Sequence, residues 1–418
     1  MKRKKNYFIA IVRHIKTKPH YFSFSVLLVL ILIIMGEVFI FLRTPTQRGN
    51  DVPLSLLADN VIQACSSSTY HPACYDKAIP KLMDTISLEQ AFEVTRLIQK
   101  KDSAYWYCHV LGHNIAARET AKDSSKWKEV IPRCPSDMCS NGCIHGALQE
   151  RFRKDTFSKD DIVRILPDLN DVCDEKPQWH PTGMERATCY HALGHLLMYL
   201  TDADTKKSSE MCKSIAVKPN GDDFLTVCYD GVFMQLFQPL EPEDFALVKG
   251  KVPKKEDLKT FCAPYPTQPR ASCWSEGWPL FWSEVKTPKG LVKFCSVLPE
   301  GSMRERCYNG MFFIMASQVQ LDEGKIINFC KDIPLPARER CFANAAGRMV
   351  ETDAKLIDRS LSVCAAANKW HAGDACYREL LMYSQFNFHY GSPDFFNLCN
   401  GLPDQWKKKC LSDAQPQS

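Results

Sequence analysis

The chain has no Asn-x-Ser/Thr sequon, His-Glu-x-x-His, Gly-x-Ser-x-Gly, glycine-rich phosphate loop or Cys-x-x-Cys-His. Each absence removes a class of function. Without the first, a bacterial envelope protein fits better than a eukaryotic glycoprotein. A zincin metalloprotease places a glutamate base directly after its first histidine; here Val110 and Ala192 follow the corresponding histidines. Nucleophile-elbow hydrolases, phosphate-loop NTPases and c-type haem attachment go with the rest.

Basic charge is scarce where it would matter. The formal +5 arises because residues 1–43 hold eight basic residues and one acidic, which leaves −2 for positions 44–418. No excess remains to neutralise a phosphate backbone, so nucleic acid is not the expected partner.

Cysteine is absent before Cys65 and abundant after it, twenty in all. Between the two regimes runs "YFSFSVLLVLILIIMGEVFIFL", residues 21–42, with Glu37 as its only charge. At about 1.5 Å per residue such a helix spans roughly 33 Å, the thickness of a bilayer core. Lys2, Arg3, Lys4, Lys5, Arg13, Lys16 and Lys18 precede it with no acidic residue. The sequence therefore predicts a basic cytoplasmic segment (1–20), a transmembrane anchor (21–42), a linker (43–60) and an extracytoplasmic domain (61–418), periplasmic or extracellular. No small-x-small cleavage pattern follows the apolar run, which favours an anchor over a cleaved signal peptide. An even number of cysteines confined to the translocated side predicts disulfides.

The cysteines are periodic. Cys74, Cys108, Cys143, Cys189, Cys228, Cys273, Cys307, Cys341, Cys376 and Cys410 recur at a base period of 34 residues, with longer gaps only in the middle third. An aromatic follows in seven cases, as in "CYDGVFMQLF" and "CYNGMFFIMA". Nine have a partner 9–16 residues upstream, across loop-like intervals such as "KDIPLPARER". Each unit thus reads as helix, cysteine, loop, cysteine, helix. The expected fold is all-α: disulfide-stapled αα-hairpins stacked as an α-solenoid. Its period is similar to that of tetratricopeptide repeats, and the stapled pairs resemble the Sel1-like class; the resemblance is one of architecture. Cys108 and Cys139 stand outside the pattern. They are expected either to form a tenth disulfide or to offer thiolates to a metal.

Six of eleven histidines fall between positions 109 and 195. The segment His109-Val-Leu-Gly-His113 recurs as His191-Ala-Leu-Gly-His195, and His145 follows Cys143 at the offset by which His191 follows Cys189. Spacing of i and i+4 puts two imidazoles on one helix face, where they can share an ion. Gly112 and Gly194 cost helix propensity and so mark close approach of a neighbouring helix. The candidate metal ligands are His109, His113, His145, His191 and His195, with Glu119, Glu150 and Asp230 as further donors and zinc, copper or iron as the ion. The competing explanation is shared descent, with the histidines only hydrogen-bonding in a helix seam. At regular helix spacing the two pairs should lie roughly 20 Å apart, with His145 completing a site with one of them.

Trp274, Trp278 and Trp282, and Tyr105 to Tyr107, are expected in the core. The insertions 151–188 and 239–261 are expected to be solvated loops. The expected function is a membrane-anchored scaffold binding a protein or peptide, with a histidine metal site in units two to four; the alternative is a metal-dependent enzyme or metal-handling protein built on the two H-x-L-G-H segments.

Overall fold

The computed structural model describes residues 52–413, apart from 103, 153–156 and 220. The segment expected to cross the membrane lies outside them. Among the described residues no helix is long and apolar enough to cross a membrane. All regular structure there is helical, with two isolated bridges, Lys176–Trp179 and Val217–Asp223.

All ten disulfides form. Nine join the two arms of one hairpin, and the tenth is Cys108–Cys139, so no thiolate is left for a metal. Ten disulfides place the domain in an oxidising compartment, extracellular or periplasmic. Closing such short loops contributes roughly 3 kcal/mol each by chain entropy, useful where single hairpins have small cores.

The second arms of the ten hairpins are numbered α1 to α10. They are α1 (His71–Leu82), α2 (His109–Lys122), α3 (Gly142–Phe152), α4 (Gly183–Leu200) and α5 (Leu225–Phe237), then α6 (Thr267–Glu276), α7 (Ser302–Gln318), α8 (Ala337–Thr352), α9 (Gly373–Phe386) and α10 (Asp404–Asp413). Each packs on the next, most closely α2 on α3 and α4 on α5. The first arms form the other layer, as where Leu54–Cys65 packs on Leu88–Lys101. Helix starts are written locally: Ser87, Ser158 and Thr182 close capping boxes with Gln90, Asp161 and Glu185. In α4 thirteen of eighteen residues are buried, so it has no polar face and sits between neighbours on several sides.

Two expectations are corrected. The stretch 151–188 contains a thirteen-residue helix, Lys159–Asp171, and 239–261 contains Pro242–Leu247. Mixed charge marks the solvent side of the longer helix, whereas Ile162 and Leu169, two turns apart, are buried. The tryptophans also divide. Trp274 is buried and donates to the Phe294 carbonyl at 3.0 Å, Trp282 is exposed, and Trp278 lines a cavity. Tyr105 is core, but Tyr107 faces the same cavity.

The array turns back on itself. Ser140 Oγ lies 3.4 Å from Thr352 Oγ1, and the Ala354 amide donates to the Asp137 carbonyl at 3.2 Å. Arg348 of α8 lies over the Tyr107 ring, and α4 touches α9. Units two to four therefore meet units eight and nine. The concave face of the stack narrows to a cavity of about 310 Å³, walled by residues from Tyr107 round to Glu351.

Candidate metal centre

The site is built on two close helix crossings. A side chain at Gly112 would put its Cβ 2.9 Å from the backbone nitrogen of Cys143, and one at Gly194 would collide with the Cys228 carbonyl. Gly142, Gly146 and Gly231 face them from α3 and α5, equally hard against backbone. Glycine at these places lets the helix axes come close, and the histidines beside them are carried into the seam. Gly112 and Gly194 thus have the role their sequence position suggested.

On α2, the Nε2 atoms of His109 and His113 lie 3.1 Å apart, and on α4 those of His191 and His195 are also 3.1 Å apart. The outer histidine of each pair is held by a glutamine from the following helix. His113 Nδ1 donates to Gln149 Oε1 at 3.1 Å, and His195 Nδ1 donates to Gln235 Oε1 at 2.7 Å. That bond puts the proton on Nδ1 and leaves a lone pair on Nε2. His109 Nδ1 is buried and has no hydrogen-bond partner, so its proton is not fixed as that of His113 is. A proton on His109 Nε2 would be donated to His113 Nε2; with the proton on Nδ1 the two lone pairs would face each other at 3.1 Å, an arrangement that a cation relieves. Two nitrogens bound to one ion at about 2.0–2.1 Å, subtending roughly 100°, are separated by about this distance.

His145, on α3, stands between the pairs. Its ring centroid is 5.1 Å from those of His109 and His113, 5.3 Å from His191 and 5.6 Å from His195. Its Nε2 is buried and has no hydrogen-bond partner. One nitrogen from each of His109, His113 and His145 falls within 4.8 Å of the others. The separation near 20 Å expected from regular stacking is therefore wrong: both pairs touch one imidazole. The glycine crossings let the helix backbones touch, and α3 packs against both α2 and α4, so their histidines meet in one place.

Burial disfavours the charged form of His109, His145, His191 and His195, which suits them to ligate. It pushes His109 down to about 4, helped by the charge of Arg348. His145 and His191 are pushed well below the ordinary histidine value by burial, then by neighbouring rings; His195 is lowered by burial.

The other proposed donors are not in this group. Glu119 is tied to Arg133 and Lys122, each at 2.7–2.8 Å, and Asp230 lines the cavity but is paired with Arg306. Glu150 joins no ligand group among the described residues, and His180 pairs with Glu175 at the surface.

Sequence reasoning missed the far wall. Arg348 donates to Ser317 Oγ at 2.7 Å, pairs with Glu351 and lies 4.2 Å from the Phe313 ring centroid. Glu276 accepts from Gln238 Nε2 at 2.7 Å, and burial, with Asp230 nearby, holds its carboxyl well above the ordinary range. These residues lie in units five to eight, and nothing local distinguishes them.

The arrangement offers three clustered imidazoles at the edge of a small cavity with a fixed guanidinium and carboxyls opposite. The chain matches no family model, no curated protein and no solved structure.

Proposed function

We propose that this is a metal-dependent extracytoplasmic protein, in which His109, His113 and His145 hold one first-row transition ion facing a small-molecule cavity. The observation that carries the proposal is the mutual approach of the three histidines, two of them Nε2 to Nε2 at 3.1 Å, beside the unpartnered Nε2 of His145. Three protein ligands with a remaining open position are the pattern of a reactive ion rather than a structural one. An all-imidazole donor set suits zinc or copper and is poor for magnesium or calcium. His109 and His145 line the cavity, so a molecule there can reach the ion, with Arg348 and Glu276 available to orient it. In this proposal the span at 21–42 tethers the domain to the outer face of a membrane.

Elemental analysis of the full-length protein, purified without chelators, tests the reading. At least one equivalent of zinc or copper is expected, and it should be lost when His109, His113 and His145 are replaced by alanine. A metal-free protein that also takes up none when supplied would refute it.

A second function, protein or peptide binding, is supported by a separate groove of about 840 Å³. Asn309, Asn344 and Glu379, from three successive units, line it at related positions, with Arg340 and Arg378 alongside. Such a ladder matches an extended chain with repeated hydrogen-bonding groups. Replacing Asn309 and Asn344 with leucine should abolish capture of a peptide ligand selected from a library on the wild-type protein, without altering metal content.

A further inference from the structure

We infer that the centre is dinuclear: His191 and His195 hold a second transition ion on the opposite side of His145. This rests on the metal-centre reading above and extends it.

The second pair repeats three features of the first, although among the described residues a group of three ligand atoms within 4.8 Å is formed only by His109, His113 and His145. Its Nε2 atoms are 3.1 Å apart, the same bite as His109 and His113. Its outer member is oriented by a buried glutamine on the next helix, Gln235 where the first pair has Gln149. Its inner glycine, Gly194, is pressed on the backbone of α5 as Gly112 is pressed on that of α3. A histidine kept only as an inherited seam residue needs one hydrogen bond, and either pair could supply that internally. Two seams that each orient Nε2 toward Nε2 repeat a ligating geometry, not just a residue type.

Position argues the same way. The His145 ring is stacked on His191, with 15° between planes, and edge-on to His109, at 89°. One imidazole thus contacts both pairs, and both pairs open toward it. His191 lines the same cavity as His109 and His145. The second ion has two protein ligands here, so its remaining positions are open to water or to a ligand in the cavity. Asp230, Glu276 and Glu351 line the same cavity; Asp230 is paired with Arg306 and Glu351 with Arg348, while Glu276 bonds Gln238 and is the carboxyl a second cation could draw on. Two ions beside one cavity of about 310 Å³ suit a small substrate bound through two donor atoms, or one small molecule activated between them.

The test is a titration of metal-stripped, full-length protein with Zn(II) against a chromophoric chelator. The same titration is run on His109→Ala with His113→Ala and on His191→Ala with His195→Ala. Helicity and a complete absence of free thiols confirm folding in each. Wild type should take up two equivalents and each variant one. Should a variant fail to fold, Gln235→Leu replaces it, and its second equivalent should bind more weakly while the first is unchanged. One equivalent in the wild type, retained without His191 and His195, overturns the second ion and leaves the first. No uptake by the wild type overturns both.

Discussion

Gln149 and Gln235 do for their histidines what no sequence motif announces: each fixes which nitrogen carries the proton. Partners of this kind typically contribute 10- to 100-fold to metal affinity. Gln149→Leu should therefore weaken binding at the first site by about that factor with helicity intact, as read by competition with a chelator. The glycines are a steric matter. Gly194→Ala drives a methyl into the Cys228 carbonyl, and overpacking of this kind costs about 1–3 kcal/mol, measurable as a lower Tm. A third residue sets a pH response. Burial raises Asp76 to about 6, against a hydrogen bond from Tyr105 that pulls it down. A group raised on folding favours the folded state most below its unfolded value near 3.8, and that advantage is lost as pH rises through about 6. Asp76→Asn should consequently stabilise the protein at pH 7.5, by something on the order of 1–2 kcal/mol, and leave it little changed at pH 3.5. Equal Tm shifts at both pH values would contradict this. Of the site residues, the histidines and glycines were legible because type and spacing repeat. The glutamines and Arg348 were not, since a single glutamine or arginine in a helix has no spacing to betray it.

At the scale of the element, Cys139, Ser140 and Asn141 stand out, three consecutive non-glycine residues with φ of 55°, 47° and 54°. Left-handed backbone costs roughly 1–2 kcal/mol per residue, so something must hold this turn. One hold is the Cys108–Cys139 disulfide, attached to the residue just before His109. Another is the contact of Ser140 with Thr352. Replacing Cys108 and Cys139 together with serine opens a loop of 31 residues and should cost about 4 kcal/mol by loop entropy, and relax the seat of His109. Its signature is a drop in metal affinity larger than that caused by removing any hairpin staple remote from the site, such as Cys399–Cys410. Cysteine spacing revealed the hairpins because a short stapled loop leaves a fixed interval. It concealed Lys159–Asp171, where Pro167 and dense charge imitate a loop although Ile162 and Leu169 keep helical register.

At the scale of the whole molecule, Arg96 from the early units and Lys355 from the late ones are set among the carboxyls of the seam between them. Arg96 bonds Asp137 at 2.6 Å, and Asp353 and Asp394 lie within its electrostatic reach. Burial, helped by the charge of Asp137, raises the carboxyls of both Asp353 and Asp394 against the pull of Arg96 and Lys355. Arg96→Ala should let the seam part: a larger radius of gyration by small-angle scattering, most evident at low salt, with every disulfide still formed. An unchanged radius at low salt would show that the seam does not depend on this ion pair. Sequence periodicity carried the units and their order but not this return. A repeat signal records neighbours, and Asp137 and Ala354 are neighbours only in space.

That return imposes arithmetic on heredity. A row of repeats whose ends are free can gain or lose a member and still fold, because each member needs only its flanks. Here units two to four must meet units eight and nine, so the count between them is fixed as the count of staves in a barrel is fixed. Duplication or deletion of one unit between Cys189 and Cys341 leaves a ring that overlaps or gapes, with Tyr107 and Arg348 on opposite sides of the misfit. Length can vary in the intervals between cysteines, where the chain already departs from its period, and in the first and last units. Lineages of this fold should thus differ by loop length and by substitution, and keep the number of units in the ring constant.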